Sequence, residues 1–378
     1  VGLLVAVILL VTIGIAMVLS TSYPLADAWR SGDSFYLLKR HLLSVLAGGV
    51  MLLIGYRLPT RALNRGAGVI FALSVILLIA VKVFGREVNG ARSWFPLGPV
   101  NFQPSEFAKV ALVLALARHF ASRREAGGGR GLAAPVIMLA LSAGLIAIEP
   151  DMGSAALLVL SSLVFLNICG VPLRRVAALA GAVLLLGGMM VLHKPYQLRR
   201  VTDWLNLEAS ASAGGYQTAR SLVALGSGGP FGLGFCQGRE KYFYLPASTT
   251  DAILAVIGEE LGLVGTWAVL ALLAWVVWRG FAISRAQRDR FSALAAAGIA
   301  CLIGTQAVVN VAVVSGSIPA TGVPLPFISF GGSSLAFTLF GVGLLLRLSR
   351  GKRGPPEVWR AKLRRAGEGE RSLPGAAA

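Results

Sequence analysis

The chain has 378 residues, of which 56% are hydrophobic and only 14% charged, with a formal net charge of +18. A soluble domain places charges at about a quarter of its positions, so this chain lacks the polar surface to face water on all sides. Composition excludes a water-soluble globular protein and leaves a membrane protein.

Apolar runs recur along the chain at membrane-spanning length: Val1–Ser20, His41–Tyr56, Ala67–Phe84, Phe107–Ala121 and Pro135–Ile148, then Gly153–Cys169, Val176–Leu192, Ala252–Trp278, Ser292–Ser315 and Leu335–Leu346. A helix needs roughly 20 residues to cross the hydrocarbon, and the shorter runs borrow from their flanks. Helices are expected because an unpaired backbone amide in lipid costs several kcal/mol. The first run has no basic leader and is too long for a signal-peptide core, so it reads as a membrane helix. The expected fold is an all-α polytopic membrane protein of about ten helices. Residues 1–350 form the membrane domain, and residues 351–378 form a basic tail.

Orientation follows from the loops. With the amino terminus inside, 22 of the 35 Lys and Arg fall in cytoplasmic segments, among them Arg57, Arg118, Arg174, Arg279 and Arg347. The positive-inside rule favours this topology, which puts both termini in the cytoplasm. Much of the net charge is then topological and calls for no nucleic acid; the tail is expected against anionic lipid headgroups. Cys169, Cys236 and Cys301 are too scattered for a zinc site or a disulfide framework.

The external segments carry the unusual residues. Between the third and fourth runs, Arg92-Ser93-Trp94 is followed by Gln103-Pro104-Ser105-Glu106, a helix start with an acidic group at the positive dipole end. Glu106 and Lys109 form an i,i+3 pair at the head of a membrane helix. They are either a structural ion pair or a polar contact in a cavity. Asp151, after Glu149-Pro150, stands where it would cap the sixth helix.

The connection from His193 to Thr250 is 58 residues long, far beyond ordinary linkage. It holds an amphipathic stretch, Tyr216–Leu225, a run of glycines, and the cations Arg199, Arg200, Arg220, Arg239 and Lys241. Arg suits planar phosphate recognition. Next comes Ser248-Thr249-Thr250-Asp251, which reads as a capping box. It also reads as a carboxylate at a helix mouth, where a general base would sit. Glu259 and Glu260 lie two turns deeper and need partners there. The last external segment holds Pro319, Pro324 and Pro326 and is expected to be a re-entrant turn packed in protein. Gly331-Gly332-Ser333-Ser334 then opens the last helix with free amides, a ready anion site.

Together these segments resemble the SEDS family, which includes RodA, FtsW and SpoVE. The resemblance covers roughly Val1 to Arg350. It rests on Pro319 through Ser334, on Thr250-Asp251 with Ala255 through Gly262, on Glu149 through Gly153, and on Gln103 through Lys109. Pro319–Ser334 is similar to RodA members and Lys241–Pro246 to FtsW members, with a slight lean to RodA. The resemblance implies a peptidoglycan glycosyltransferase that polymerises lipid II at the outer face, serving elongation and cell shape, or division. It also implies a class B penicillin-binding protein as partner, and it places Asp251 on the family's essential aspartate. Here Ala247, Thr249 and Ala252 replace the Glu, His and Phe common around that position. Ser93 stands directly before Trp94, where the family often has Arg.

On this reading Asp251 accepts the proton of the attacking sugar hydroxyl, and the diphosphate leaving group departs unprotonated against cations. The expected substrate contacts are Arg199, Arg200, Arg239, Lys241, Lys109, Trp94, Ser333 and Ser334. Glu106, Asp151 and Glu259 are expected in support. No cofactor is required, although a divalent cation could bridge phosphate and carboxylate. A rival expectation is a flippase for a lipid-linked precursor, since transporters also use broken helices and polar groups at membrane depth.

Overall fold

Backbone amides in an apolar environment must be paired within the protein, and the chain meets this demand with helices almost throughout. The computed structural model describes residues 1–28, 35–88, 91–98, 100–122, 131–193, 195–206, 213–242 and 244–350. The basic tail of residues 351–378 lies outside them. The expected runs correspond to α1 (Gly2–Ala28), α2 (Tyr36–Arg57), α3 (Thr60–Phe84), α4 (Pro104–Ser122), α5 (Ala133–Ile148), α6 (Met152–Ile168) and α7 (Leu173–His193). After α8 (Pro195–Leu205) and α9 (Ala213–Ser227) come α10 (Ile253–Ala286), α11 (Arg290–Val314) and α12 (Gly332–Ser349). Among the described residues, seven helices are long and apolar enough to cross a membrane: α1, α2, α3, α7, α10, α11 and α12. Helices α5 and α6 are shorter and apolar, and α4 is buried along most of its length. This is a polytopic helical membrane protein.

Helix α11 is the axis of the bundle, buried almost from end to end and packed on α4, α6 and α10. Its start is fixed by Asp289, whose carboxylate accepts the Ser292 amide at 3.0 Å. Helix α12 lies along α2, while α7 sits at the edge with most of its apolar side chains facing outward. Leu184, Leu185 and Leu186 there meet no core, as suits a surface solvated by lipid.

Three features differ from the sequence expectation. The connection between α3 and α4 forms a small antiparallel sheet of β1 (Arg86–Val88), β2 (Ala91–Leu97) and β3 (Val100–Phe102), in the order β1-β2-β3. Phe95 stands opposite Phe102, with ring centroids 6.4 Å apart, and Phe102 meets Phe337 of α12. These strands are too short to give a readable alternation. The long connection before α10 contains the helices α8 and α9 rather than unstructured chain, of which only the amphipathic stretch within α9 was apparent.

The third difference is in α10, which is broken at Gly262 (φ +68°). Ile253–Leu261 is a short helix enclosed by protein, whereas Leu263, Val264 and Trp267 beyond the break face outward. A break inside an apolar bundle frees carbonyls on one side and amides on the other. The segment 228–234 pairs with both sets. Leu233 and Gly234 donate their amides to the carbonyls of Glu259 and Glu260 at 2.9 and 3.1 Å, while Leu263 and Val264 donate theirs to Gly229 and Pro230 at 2.9 and 3.1 Å. So close an approach leaves no room for side chains. A Cβ on Gly262 would stand well inside van der Waals contact with the Gly232 nitrogen.

Gly262→Ala is therefore expected to destabilise the protein. The left-handed backbone alone costs about 1–3 kcal/mol, and the contact with Gly232 adds to it. Gly144→Ala, inside α5 with nothing within 4 Å of the added carbon, serves as the control. Unfolding midpoints in detergent check the pair: Gly262→Ala should fall by several degrees and Gly144→Ala should hold.

Candidate active site

The broken helix presents Asp251 at its mouth. The helix starts at Ile253 with Ala252 as N-cap and no side-chain cap bond, so the capping-box reading of Ser248–Asp251 does not hold. The Asp251 carboxylate is turned sideways instead. Gln217 of α9 donates its amide to Oδ2 at 3.1 Å, and Thr250 donates its hydroxyl to Oδ1 at 2.8 Å. The main chain is held as firmly. Asn310 of α11 donates Nδ2 to the Asp251 carbonyl at 2.8 Å and to the Val323 carbonyl at 2.9 Å. Ser329 bonds the Thr250 carbonyl, and the Phe330 amide donates to the Thr249 carbonyl.

Asn310 thus ties Asp251 to the proline-rich segment 316–331, which is non-helical and packed inside protein through Val323, Leu325, Phe327 and Ile328. One helical turn earlier on α11, Gln306 donates to the Pro324 carbonyl at 2.9 Å and to the Ser334 hydroxyl at 3.2 Å. At Gly153 of α6 the same segment approaches backbone to backbone, for a Cβ there would overlap the Thr321 carbonyl oxygen. Asp151 is the N-cap of α6: its carboxylate accepts the Ser154 amide at 3.0 Å and the Gln103 side chain at 2.8 Å. The Gln103 main-chain N–H donates to the Ser333 hydroxyl, which in turn donates to the Asn101 carbonyl. Ser333 and Ser334, expected at an open anion site, are buried and engaged by these protein partners.

Two buried ion pairs flank this assembly. Glu106 and Lys109 meet at 2.8 Å with almost no exposure, beside a small cavity lined by Glu106, Val110, Gln306, Phe337 and Thr338. Lys241 and Glu260 meet at 2.6 Å, their side chains 1% and 0% exposed, and Ser20 of α1 bonds both. Lys241 was expected among the cations facing a substrate. It lies inside because Glu260, at the break in α10, needs a counter-charge. The rest of these carboxylates is satisfied by loop amides: Cys236 donates to Glu260, and Arg239 and Glu240 donate to Glu259.

The remaining cations stay near the surface. Arg199 and Arg200 are exposed on α8, which lies over segment 316–331. Arg200 donates to the Ala320 carbonyl at 3.3 Å and Trp204 to the Gly316 carbonyl at 2.7 Å. The Arg239 side chain is exposed. Trp94 is half-buried on β2, Ser93 bonds the Glu149 carbonyl, and Arg92 pairs with Glu87 at the surface. Arg220 of α9 lies 5.2 Å from the Tyr216 ring and 5.1 Å from the Tyr244 ring, and reaches Glu240 at 3.5 Å. Burial pushes the Glu240 carboxyl above its usual range, Arg220 opposes the shift and Glu259 adds to it. Among the described residues no group of three or more His, Cys, Asp or Glu side chains is placed to hold a metal ion.

Gln217 and Asn310, both of which contact Asp251, were missed in the sequence. For Asn310 a signal existed: Gln306 and Asn310 stand four residues apart in an otherwise apolar run, and amides in such runs usually bond across helices. Gln217 gave none beyond its place in an amphipathic stretch.

A multi-pass helical bundle with a protein-enclosed half-helix and a carboxylate at its mouth defines a polytopic membrane protein with polar groups held inside it. A family model described as cell cycle protein, FtsW/RodA/SpoVE, matches residues 2–354, and the chain belongs to that family. A probable peptidoglycan glycosyltransferase FtsW of Trichlorobacter lovleyi is 37% identical, with 94% of each chain covered. Stage V sporulation protein E of Bacillus subtilis is 36% identical, covering 92% of this chain and 96% of its own. Among solved structures, a chain of a peptidoglycan synthase complex matches with a TM-score of 0.76 at 32% identity, covering 92% of this chain and 97% of that one. The rod shape determining protein RodA of Thermus thermophilus matches with a TM-score of 0.68 at 29% identity, covering 92% and 96%.

The Lys241–Glu260 pair gives a test of its structural weight. Lys241→Met or Glu260→Gln alone leaves a buried group without its partner and is expected to destabilise by about 3–5 kcal/mol. The double variant removes both charges and should recover much of that loss. Thermal unfolding of the three variants in detergent checks it; a double variant as damaged as the sum of the singles would count against the pairing.

Proposed function

We propose that this chain polymerises lipid II into glycan strands at the outer face of the plasma membrane, with Asp251 as general base. The observation that carries the reading is the Asp251 carboxylate, held by two neutral donors at the mouth of a buried half-helix. The class of enzyme, a peptidoglycan glycosyltransferase, is the one named for its FtsW relatives. The outward orientation rests on the distribution of Lys and Arg among the loops.

In the reaction, the acceptor sugar hydroxyl attacks the anomeric carbon of the donor. The new C–O bond forms as the bond to the polyprenyl diphosphate breaks, and the leaving group keeps the electron pair. The hydroxyl proton passes to Asp251. A glycosidase uses a second carboxyl group to protonate its leaving oxygen, but a diphosphate needs only nearby positive charge. Arg199, Arg200 and Arg239, on the segments beside segment 316–331 and Asp251, are assigned that role. The partner is a class B penicillin-binding protein, a reading supported by the likeness to a complex that coordinates polymerization and crosslinking.

Asp251→Asn tests the assignment, because it keeps the shape of the side chain and removes its basicity. A positioned base contributes about 10²- to 10⁴-fold in rate. The variant should enter the membrane and unfold at the wild-type temperature, yet make almost no polymer from purified lipid II on a glycan gel. Polymer at the wild-type rate would remove Asp251 as the base. Arg200→Ala should lower lipid II use at least about tenfold, the effect of one hydrogen bond to a charged group. An unchanged rate at limiting lipid II would move the diphosphate elsewhere.

A further inference from the structure

Resting on the reading of Asp251 as general base, we infer that Gln217 is a positioning residue that aims the carboxylate. A carboxylate offers about four lone-pair sites, and here one donor engages each oxygen: Gln217 Nε2 at Oδ2 and Thr250 Oγ1 at Oδ1. Thr250 is the adjacent residue and moves with the turn. Gln217 comes from a separate helix, so it fixes the rotation of the carboxylate relative to the rest of the site.

Helix α9 is itself immobilised, which makes Gln217 an effective anchor. Thr218, Ser221 and Ala224 are buried on one side, and Leu225 packs against Gly258 of the half-helix. On the other side, Arg220 is held between the rings of Tyr216 and Tyr244 and paired with Glu240, tying α9 to the segment that leads into Asp251. Ser221 donates its hydroxyl to the Gln217 carbonyl at 2.9 Å.

The chemistry of the donor matters as much as its place. Lys241, at 2.6 Å from Glu260, holds that carboxylate with a full charge. With Ser20 on the same oxygen and the Cys236 amide on the other, both oxygens of Glu260 are taken up by the fold. A single amide donor orients a carboxylate and leaves its other lone pairs open to a reacting group. The partners of the two carboxylates therefore differ in kind, with a cation on the structural Glu260 and amide and hydroxyl donors on Asp251.

The test uses the full chain in lipid with purified lipid II, following the polymerisation rate from acid to alkaline pH. Gln217→Leu removes the donor; it should fold with an unchanged unfolding midpoint and lose about tenfold or more in rate, a part of the 10²- to 10⁴-fold that a positioned base supplies. Gln217→Glu places a second carboxylate against Asp251, which opposes ionisation of the pair, so the acid limb of the pH–rate profile should move up by about one unit or more. The rate should then recover toward alkaline pH. Wild-type rates and an unmoved acid limb in both variants, with Asp251→Asn inactive, would overturn the role of Gln217 alone. A Gln217→Glu loss that no rise in pH relieves would also overturn it and make Gln217 a packing residue. Full activity of Asp251→Asn would instead bring down the reading on which the inference stands.

Discussion

The demand that every backbone amide and carbonyl in an apolar bundle find a partner governs this structure, and α10 is where it is hardest to meet. A helix broken among apolar neighbours would leave several polar groups bare, each costing several kcal/mol. Segment 228–234 meets that demand by pairing with both sides of the break at Gly262. Without this pairing α10 would have to run on as one straight helix. Asp251 owes its position at the mouth of an enclosed half-helix to an arrangement of backbone groups several turns away.

The same break explains how charge is handled. Glu259 and Glu260 lie where the freed backbone gathers, and their carboxylates collect the amides of Cys236, Arg239 and Glu240 together with the Lys241 ammonium. A long segment is thereby drawn down onto the helix, and its course fixes where Tyr244 and then Asp251 emerge. Glu106 and Lys109 act similarly at the head of α4. In both pairs a carboxylate faces a cation, whereas Asp251 faces an amide and a hydroxyl. Glu259 and Asp151 also hold the fold through amides, so neutral donors single out Asp251 only together with its place at the mouth of the half-helix.

Much of this was legible in the sequence because it is local. Ten apolar runs give ten helices; Asp151 ahead of Gly153-Ser154 reads as a cap, and its carboxylate accepts the Ser154 amide. Three prolines forbid a helix between α11 and α12, and none forms. What was not legible depends on contacts between distant segments. Gly262 sits in a run that looks continuous, and nothing nearby signals a positive φ, since its partners lie some thirty residues earlier. Lys241 reads as a solvated loop cation until Glu260 is found beside it. Gln217 is one polar residue on an amphipathic helix, and only the packing of α9 on α10 brings it to Asp251.

The seam between segment 228–234 and the break in α10 is made of main chain, and this has a consequence for how the region can vary over generations. Main-chain pairing leaves outward residues such as Phe231 and Leu233 free to drift, whereas Gly228 and Gly232 have no room for a side chain. It depends wholly on register. Inserting or deleting a single residue between Gly228 and Gly234 would leave one set of partners out of step with Glu259, Glu260, Leu263 and Val264. Among descendants of this gene, the segment should change at its outward positions, keep its glycines and hardly alter in length, the reverse of the habit of most exposed loops.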